Sequence, residues 1–313
     1  MSNDEPWTAD STPPVPNPRD LAIDKARHFL GVERADLAQA ELEAALSQDP
    51  EDVEALRLMS AVHLTQRKKV EALDAIEAAL ALEADDPWSH AMRGQVLVTL
   101  GRNREAEEAL LRSLELNPVD PVTYWRYGLL MHKTGHLDKA LRLARRGLEL
   151  DPEDADLHTL EAHLLVEQKR VAEASASSGH GLRLAPDDAT SHAAEARRLY
   201  HAGHPLKARA AMREAVRLDP SDVDYQEAFL ELDRFCRPVG LPSFWLNRVM
   251  ERIPGSWFGL WALFVGFLMF GDRLGIPDPI TGSVVIGYLV LVVYSWTASP
   301  IMNLWVRVFP PRF

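Results

Sequence analysis

The histidines and the single cysteine are the residues with the clearest capacity for chemistry in this sequence of 313 residues. His132 and His136 are four residues apart, a spacing that places two imidazoles on one face of a helix, where they could bind a metal ion. Gly135 stands between them, however, and a glycine at that point indicates a turn. Cys236 has no neighbouring histidine to activate its thiol, and one cysteine excludes disulfides and multi-cysteine metal sites. We therefore expect no metal site.

Three aspartates, Asp151, Asp154 and Asp156, resemble the start of a calcium-binding loop. The glycine and the bidentate glutamate that complete such a loop are absent from the residues that follow. The sequence also lacks a glycine-rich phosphate loop, a G-x-S-x-G nucleophile turn and an H-E-x-x-H zinc motif. It therefore predicts a protein that is not an enzyme and that holds no cofactor.

Charge is distributed unevenly along the chain. The 46 acidic residues outnumber the 34 lysines and arginines, and the net charge of −12 argues against nucleic acid as a partner. From Arg237 to the end, six arginines accompany three acidic residues, so this segment carries +3 and residues 1–236 carry −15. The acidic part has a soluble composition, whereas the basic part is strongly apolar. The sequence thus predicts two regions of different character.

A 34-residue period runs through the acidic part of the chain. Five columns of matching residues stay in register over six copies, which is very unlikely to arise by chance. The first two columns are alanine at Ala38, Ala72, Ala106, Ala140, Ala174 and Ala208, and aspartate at Asp52, Asp86, Asp120, Asp154, Asp188 and Asp222. Two columns of small residues begin at Ala26 and Ala45, and an apolar column begins at Leu46. The period predicts one repeated structural unit.

Each repeat is predicted to form two helices joined by a turn. Small residues permit two helices to approach closely, which a bulky side chain would prevent. The aspartates stand directly before helical patterns, where a carboxylate accepts a backbone N–H bond and meets the positive end of the helix dipole. Pro87 and Pro121 follow their aspartates at the preferred first helical position. Gly101, Gly135 and Gly203 fall in the middle of repeats, where one helix turns into the next.

These columns resemble the tetratricopeptide repeat. The family pattern has small residues at its eighth and twenty-seventh positions, alanine at its twentieth and proline at its thirty-second. The sequence supplies these residues at Gly94, Ser113, Ala106 and Pro118 respectively. The resemblance covers about residues 19–236. It implies an all-α fold, a right-handed α-solenoid of about six helix-turn-helix repeats with a concave groove.

Some features depart from the family pattern without breaking the period. Lys169 replaces the turn glycine of the fifth repeat. The aromatic residue usual at the fourth position is replaced by His90, His158 and His192, which we expect in or near the core. Val223–Cys236 is predicted to be a capping helix, because terminal repeats need a more polar outer face. Residues 1–18 are predicted to be a disordered tail, since they are acidic and rich in proline.

The resemblance also implies a binding surface, because the first helix of each repeat lines the groove in this family. The residues at groove-lining positions are Arg57, Trp88, Gln95, Trp125, His132, Lys133, His163, Arg197 and Tyr200. Aromatic and arginine side chains are favoured anchors at protein interfaces, which singles out Trp88 and Trp125 on neighbouring repeats. An alternative for Trp125 is packing against the preceding repeat.

One well-known ligand of the family is not expected here. The chaperone-binding variety holds a terminal carboxylate with asparagines and basic residues. In this sequence Ala61 and Met92 replace the asparagines, and only Arg126 stands at a matching position.

The basic, apolar end of the chain predicts two membrane spans. Residues 253–271 contain no charge over 19 positions, and a second uncharged stretch covers 279–306. A helix of ~19 residues is roughly 28 Å long, about the thickness of a hydrocarbon core. The polar turn at 272–278 makes the two spans a hairpin, and Trp257 and Trp296 fit aromatic belts at the interfaces. The alternative is a pair of buried core helices.

Arginines predict the orientation of this hairpin. Six arginines flank the two spans, at Arg234, Arg237, Arg248, Arg252, Arg307 and Arg312, whereas the turn holds only Arg273. This asymmetry places the repeats and the C-terminus in the cytoplasm. The predicted regions are thus the tail 1–18, the repeats 19–236, a juxtamembrane segment 237–252, and the hairpin with a short tail, 253–313. The alanine- and arginine-rich repeats favour a bacterial inner membrane.

Two hypotheses for function follow. The first is a membrane-anchored, non-catalytic adaptor or scaffold that binds a peptide or helix of another protein in its groove, with the lipid bilayer as a second partner through residues 253–306. The second is a structural or assembly subunit of a membrane complex, held through the hairpin. Gly255 and Gly259 would permit close helix contact, and the sequence leaves a homo-oligomer open.

Overall fold

The computed structural model describes residues 17–32, 34–237, 264–265, 283–290 and 292–293. Thirteen helices occupy the first two of these ranges, and the described residues contain no strand, as the all-α prediction requires. The helices are α1 (Pro18–Gly31), α2 (Ala35–Gln48), α3 (Val53–Thr65), α4 (Lys69–Leu82), α5 (Pro87–Thr99), α6 (Asn103–Leu116), α7 (Pro121–Lys133), α8 (Leu137–Leu150), α9 (Ala155–Glu167), α10 (Val171–Leu184), α11 (Ala189–Ala202), α12 (Pro205–Leu218) and α13 (Val223–Cys236).

The chain divides into two compact units, Met1–Leu160 and Glu161–Phe313. The N-terminal unit holds α1 to α8 and the start of α9, and the C-terminal unit holds the rest of α9 and α10 to α13. Odd-numbered helices form the first half of each sequence repeat and even-numbered helices the second. Within the N-terminal unit each odd-numbered helix from α1 to α7 packs on the even-numbered helix that follows it, and α11 packs on α12 in the C-terminal unit. Short turns make these pairs antiparallel.

The repeating aspartates occupy the N-caps predicted for them. Asp52 accepts backbone N–H bonds from Glu54 at 3.0 Å and from Ala55 at 3.1 Å. The other five aspartates make the same kind of bond, at Asp86, Asp120, Asp154, Asp188 and Asp222. Each bond satisfies a first-turn donor that has no partner within its own helix. The aspartate column therefore fixes where α3, α5, α7, α9, α11 and α13 begin.

The turns inside the repeats share one left-handed residue at a fixed place. Gly101, Gly135 and Gly203 have φ values of 78°, 81° and 88°, and Arg67 and Lys169 hold the same place with φ values of 61° and 62°. A left-handed backbone suits glycine, whereas it costs a residue with a Cβ atom about 1–2 kcal/mol. Lys169, the predicted departure from the family glycine, therefore keeps the turn geometry at an energetic cost.

Close contacts between helices explain the columns of small residues. A Cβ atom added at Gly94 would lie 2.7 Å from Cγ of Leu110, and one added at Gly147 would lie 2.6 Å from Cδ1 of Leu157. Ala26, which shares its column with Gly94, is completely buried. Because extra volume in such a contact costs about 1–3 kcal/mol, these positions tolerate only small side chains.

Each unit has an apolar core between its helices. In the N-terminal unit Ile23, Leu42 and Val62 bring α1, α2 and α3 together. In the C-terminal unit Phe229 of α13 is fully buried and belongs to the same cluster as Met212 of α12. The helix α13 thus packs on the last repeat in the way expected of the predicted capping helix.

The predicted membrane hairpin lies largely outside the described residues. Residues 1–16, to which most of the predicted tail belongs, lie outside them too. The search for a membrane span covers only the described residues, and no helix there has the length and apolar character needed to cross a bilayer.

Candidate protein-binding surface

An apolar surface follows two neighbouring odd-numbered helices of the N-terminal unit. Trp88 lies in the first turn of α5, and Val122, Trp125 and Leu129 lie along α7 at a spacing that puts them on one helix face. Trp88, Val122 and Leu129 are 38%, 41% and 37% exposed, and Trp125 is half-buried. We call these four residues the aromatic face. Exposed apolar groups clustered on one face are typical of an interaction site.

Polar bonds hold α5 and α7 side by side. The guanidinium of Arg126 donates from Nε to Oε1 of Gln95 at 2.9 Å. The ammonium of Lys133 donates to the backbone carbonyl of Val98 at 2.7 Å. Gln95 and Lys133, both predicted to line the groove, therefore join neighbouring repeats. A surface fixed in this way loses little conformational freedom when a partner binds.

Arg57 is also engaged by the neighbouring repeat. Its guanidinium donates to Oγ of Ser89 at 3.0 Å and forms ion pairs with Glu83 at 2.6 Å and Asp86 at 3.0 Å. Asp86 is the N-cap of α5, so this arginine joins α3 to the start of the next odd-numbered helix. A ligand carboxylate would have to compete with these two acids for Arg57.

Arg126 has a different electrostatic environment. Burial lowers the pKa of its guanidinium, and the more distant charge of Asp120 opposes that shift. Within the described residues Arg126 forms no ion pair, and its one hydrogen bond is the bond to neutral Gln95. A partly desolvated cation beside the aromatic face favours a partner that brings a hydrogen-bond acceptor.

The predicted groove residues of the C-terminal unit form a polar group. Arg197 of α11 donates to the imidazole of His163, with its Nη1 2.6 Å from Nδ1, and Nε2 of His163 lies 2.8 Å from Oε1 of Glu167. Tyr200, one turn beyond Arg197, lines a cavity of ≈ 180 Å³ between α11, α12 and α13. The other lining residues are Ala196, Arg197, Met212, Ala228, Glu231 and Leu232. An open cavity of this size fits one side chain of a partner.

One further predicted groove residue and two residues that were not predicted lie on α7. His132 is half-buried in the last turn of α7. Val122 and Leu129 were not among the predicted site residues, although they occupy the second and ninth positions of their repeat. Only their positions in the repeat could have identified them, because they are aliphatic, whereas anchors at protein interfaces are more often aromatic residues or arginine.

The repeating histidines stabilise the starts of odd-numbered helices. Each donates from Nε2 to a loop carbonyl six residues earlier, which ties the start of an odd-numbered helix to the loop before it. The bonds join His90 to Ala84, His158 to Pro152 and His192 to Pro186, each at 2.9 Å. Tyr124 and Gln226 make equivalent bonds to Pro118 and Pro220. The half-buried position predicted for these histidines therefore has a clear structural cause.

Cys236 has the environment of a structural residue. Its thiol is buried and donates to the carbonyl of Pro205 at 3.2 Å. Burial raises the pKa of this thiol, so the reactive thiolate is disfavoured.

Comparison with known families identifies the repeat. Residues 23–87 and 91–155 match the family model of the tetratricopeptide repeat. These residues therefore form tetratricopeptide repeats, as the resemblance predicted. No curated protein matches the sequence.

Three solved structures share the fold at low sequence identity. A structure of the APC/C hetero-tetramer Cut9–Hcn1 has a TM-score of 0.61 and 18% identity over 68% of this chain, which spans 42% of that chain. PilF of Pseudomonas aeruginosa has a TM-score of 0.54 and 21% identity, with 68% of this chain and 97% of that chain covered. PilW, a type IV pilus biogenesis factor, has a TM-score of 0.56 and 16% identity, with 67% and 97% covered. These similarities show the fold alone.

The fold and the exposed surface together indicate the class of protein. An all-helical array of tetratricopeptide repeats with an exposed aromatic surface is the architecture of a protein-interaction adaptor or scaffold.

Proposed function

We propose that this protein is a membrane-anchored, non-catalytic adaptor that binds a segment of another protein through the aromatic face. The observation that carries the proposal is the exposure of Trp88 on α5 and of Val122 and Leu129 on α7, two neighbouring helices that are bonded to each other. Tryptophan is among the residues that contribute most to binding when a partner covers them.

The surface chemistry suggests the form of the partner. Apolar residues along two adjacent helices suit a segment that presents apolar side chains at helical spacing, with a polar group directed at Arg126. Gln95 and Lys133 are already bonded to neighbouring repeats, so we assign them a supporting role. The cavity beside Tyr200 offers a second place for an apolar side chain of the partner, in the C-terminal unit.

Membrane anchoring is the second half of the proposal. It is supported by the uncharged stretches at 253–271 and 279–306. It is also supported by the helical segment 283–290, where Ile286 and Val290 are 64% and 63% exposed. The rings of Phe264 and Tyr288, one from each stretch, stack with their centroids 3.8 Å apart, as in a hairpin. Exposed branched apolar side chains on a helix are typical of a surface that meets lipid or another apolar segment.

Tethering gives such an adaptor a physical advantage. A partner in or near the same membrane meets the aromatic face at a raised effective concentration, so a modest affinity suffices. With the repeats in the cytoplasm, as the arginine asymmetry favours, the partner would be a cytoplasmic protein or the cytoplasmic part of a membrane protein.

The test compares matched double variants of the full chain in solubilised membranes. Trp88→Ala with Trp125→Ala removes the proposed anchors, whereas Leu82→Ala with Leu111→Ala removes exposed leucines from even-numbered helices. We expect the affinity of the tryptophan variant for the captured partner to fall at least about 30-fold, because even one hot-spot tryptophan contributes about 2 kcal/mol or more. The leucine variant should retain that partner.

The alternative function has its own outcome in this experiment. A structural subunit held through its hairpin would retain its membrane partners in both double variants. It would lose them when Gly255 and Gly259 are replaced by leucine, because close helix contact requires small residues. Retention by the tryptophan variant, followed by loss in the glycine variant, would replace the adaptor with the structural subunit.

A further inference from the structure

Cations without ion-pair partners gather at one edge of the C-terminal unit. This edge lies where α10 and α12 begin and where α11 and α13 end. Lys169 precedes α10, Lys207 lies in the first turn of α12, and Arg234 lies in the last turn of α13. All three side chains are exposed, and none forms an ion pair with another described residue. We call these three residues the basic edge.

Contacts between helices place these residues at the same edge. The thiol of Cys236 bonds to the carbonyl of Pro205 at 3.2 Å, so the end of α13 lies beside the start of α12. Arg209 of α12 reaches Asp233 of α13 at 3.2 Å. The four-residue loop between α10 and α11 makes those two helices antiparallel, which brings the start of α10 beside the end of α11.

Most acidic residues near the basic edge already have partners: Glu167 lies 2.8 Å from the imidazole of His163, whereas Glu231, one turn before Arg234 on α13, is exposed. Glu173 accepts from Arg170 at 2.6 Å. Asp233 is buried and bonds two guanidinium groups, those of Arg209 and Arg237. The exposed cations of this edge therefore outnumber its unpaired carboxylates, and the edge keeps a positive charge.

The opposite edge of the same unit has the opposite sign. It contains the loops that lead into α11 and α13 and the first turn of α13. Its acidic residues outnumber the two arginines of the last turns of α10 and α12, Arg183 and Arg217; they are Asp187, Asp188, Asp219, Asp222 and Asp224, with Glu227 in the next turn of α13. A unit with cations along one edge and carboxylates along the other is oriented by an external layer of charge.

The chain leaves the repeats at the basic edge. The helix α13 ends at Cys236, and the predicted juxtamembrane segment and spans follow at 237–252 and 253–306. We propose that the basic edge lies against the anionic headgroups of the membrane, which holds the C-terminal unit in one orientation. The inference rests on the proposed membrane anchoring, because only a tethered unit stays within the short range of the surface potential.

The partner that fits this edge is a bilayer containing anionic phospholipid. Each lysine or arginine near such a surface favours association about five-fold, so three of them favour the docked orientation by on the order of 100-fold. This attraction weakens as the ionic strength rises, because added salt shortens the Debye length, which is about 10 Å at 0.1 M.

The experiment uses the full chain reconstituted into vesicles of phosphatidylcholine, alone or mixed with phosphatidylglycerol. A fluorophore is attached to Ala210→Cys, an exposed position on α12, while the buried Cys236 remains unlabelled. Energy transfer to an acceptor on lipid headgroups reports how close α12 lies to the surface. We expect strong energy transfer only in vesicles that contain phosphatidylglycerol, and we expect this transfer to be lost at high salt.

Two triple variants make the test specific. Lys169→Gln, Lys207→Gln and Arg234→Gln should reduce transfer to the level seen with phosphatidylcholine alone. Asp187→Asn, Asp224→Asn and Glu227→Gln neutralise three exposed carboxylates of the opposite edge and should leave transfer high. All six substitutions are on the surface, so the fold should tolerate them.

The outcomes separate this inference from the function on which it rests. If the chain remains in the vesicles after an alkaline wash but transfer is the same in both lipids, the inference fails and membrane anchoring stands. If the alkaline wash removes the chain, anchoring fails and the inference fails with it. Equal loss of transfer in the two triple variants would also overturn the role of the basic edge.

Discussion

Asp52 combines an N-cap with an ion pair, and its replacement should open the start of α3. Its side chain is buried, accepts N–H bonds from Glu54 and Ala55, and bonds to Arg19 of α1. Loss of the N-cap bonds to Glu54 and Ala55 costs about 1 kcal/mol, and loss of the hydrogen-bonded ion pair with Arg19 costs about 1 kcal/mol more. We therefore expect Asp52→Ala to lower the local free energy of opening by about 2 kcal/mol.

Amide hydrogen exchange of the full chain measures this opening directly. A change of about 2 kcal/mol corresponds to about 30-fold faster exchange in the first turn of α3. Asp52→Asn keeps an oxygen that can accept the same bonds, so exchange should rise only a few-fold. Glu51→Ala removes an exposed acidic side chain next to Asp52 and should leave exchange unchanged. Equal exchange in Asp52→Ala and Glu51→Ala would refute the capping argument.

The carboxylate of Asp52 should also make the stability at the start of α3 depend on pH. Burial raises the pKa of Asp52, but the bonds from Arg19 and from the Ala55 amide outweigh it, so the pKa lies below its ordinary value. A carboxylate whose pKa is lower in the folded state than in the unfolded state stabilises the folded state. This contribution is complete above the unfolded pKa of about 3.9 and disappears as the pH falls through the folded pKa. The exchange difference between wild type and Asp52→Asn should shrink below about pH 4. A difference that stays constant in acid would contradict the charge contribution.

Further predictions concern the close contacts and the turns. Gly147→Ala places a methyl group against buried Leu157 and should lower the free energy of unfolding by about 1 kcal/mol, whereas Gly179→Ala, with no atom near the added carbon, should raise it by up to about 1 kcal/mol. Arg67→Gly removes the left-handed strain and should stabilise the fold by about 0.5–1 kcal/mol, whereas Ala78→Gly, at an exposed position inside α4, should destabilise it by about 1 kcal/mol. Urea unfolding of the detergent-solubilised chain, followed by circular dichroism, measures the stability of the four variants. If the variant expected to be the less stable of either pair were the more stable one, local geometry would not decide stability at that position.

Local physics explains why the repeats could be predicted from sequence. An N-cap such as Asp188 bonds to an amide three residues away, and a turn such as Gly203 depends on its own φ. Such features recur with the period and need no knowledge of distant contacts. The starts of the six helices that the aspartates cap, from α3 to α13, and the places of the turns follow from them.

The candidate site could be predicted less completely, because its polar partners are distant in sequence. Arg57 is predicted from its position to line the groove, and in the structure it bonds to Ser89 and Glu83, which are 32 and 26 residues away in the sequence. The exposure of Val122 and Leu129 likewise depends on how α5 and α7 pack. A period in the sequence gives the position of a side chain on its helix and not the neighbour that covers it.

Photo-crosslinking in intact membranes tests the central claim most directly. A photoreactive residue replaces Leu129 on the aromatic face in one version of the full chain, and Leu111 on an even-numbered helix in another. We expect a crosslinked partner from position 129 alone, and its loss when Trp88 and Trp125 are also changed to alanine. Crosslinks to the same partner from both positions, or from position 111 alone, would contradict binding at the aromatic face.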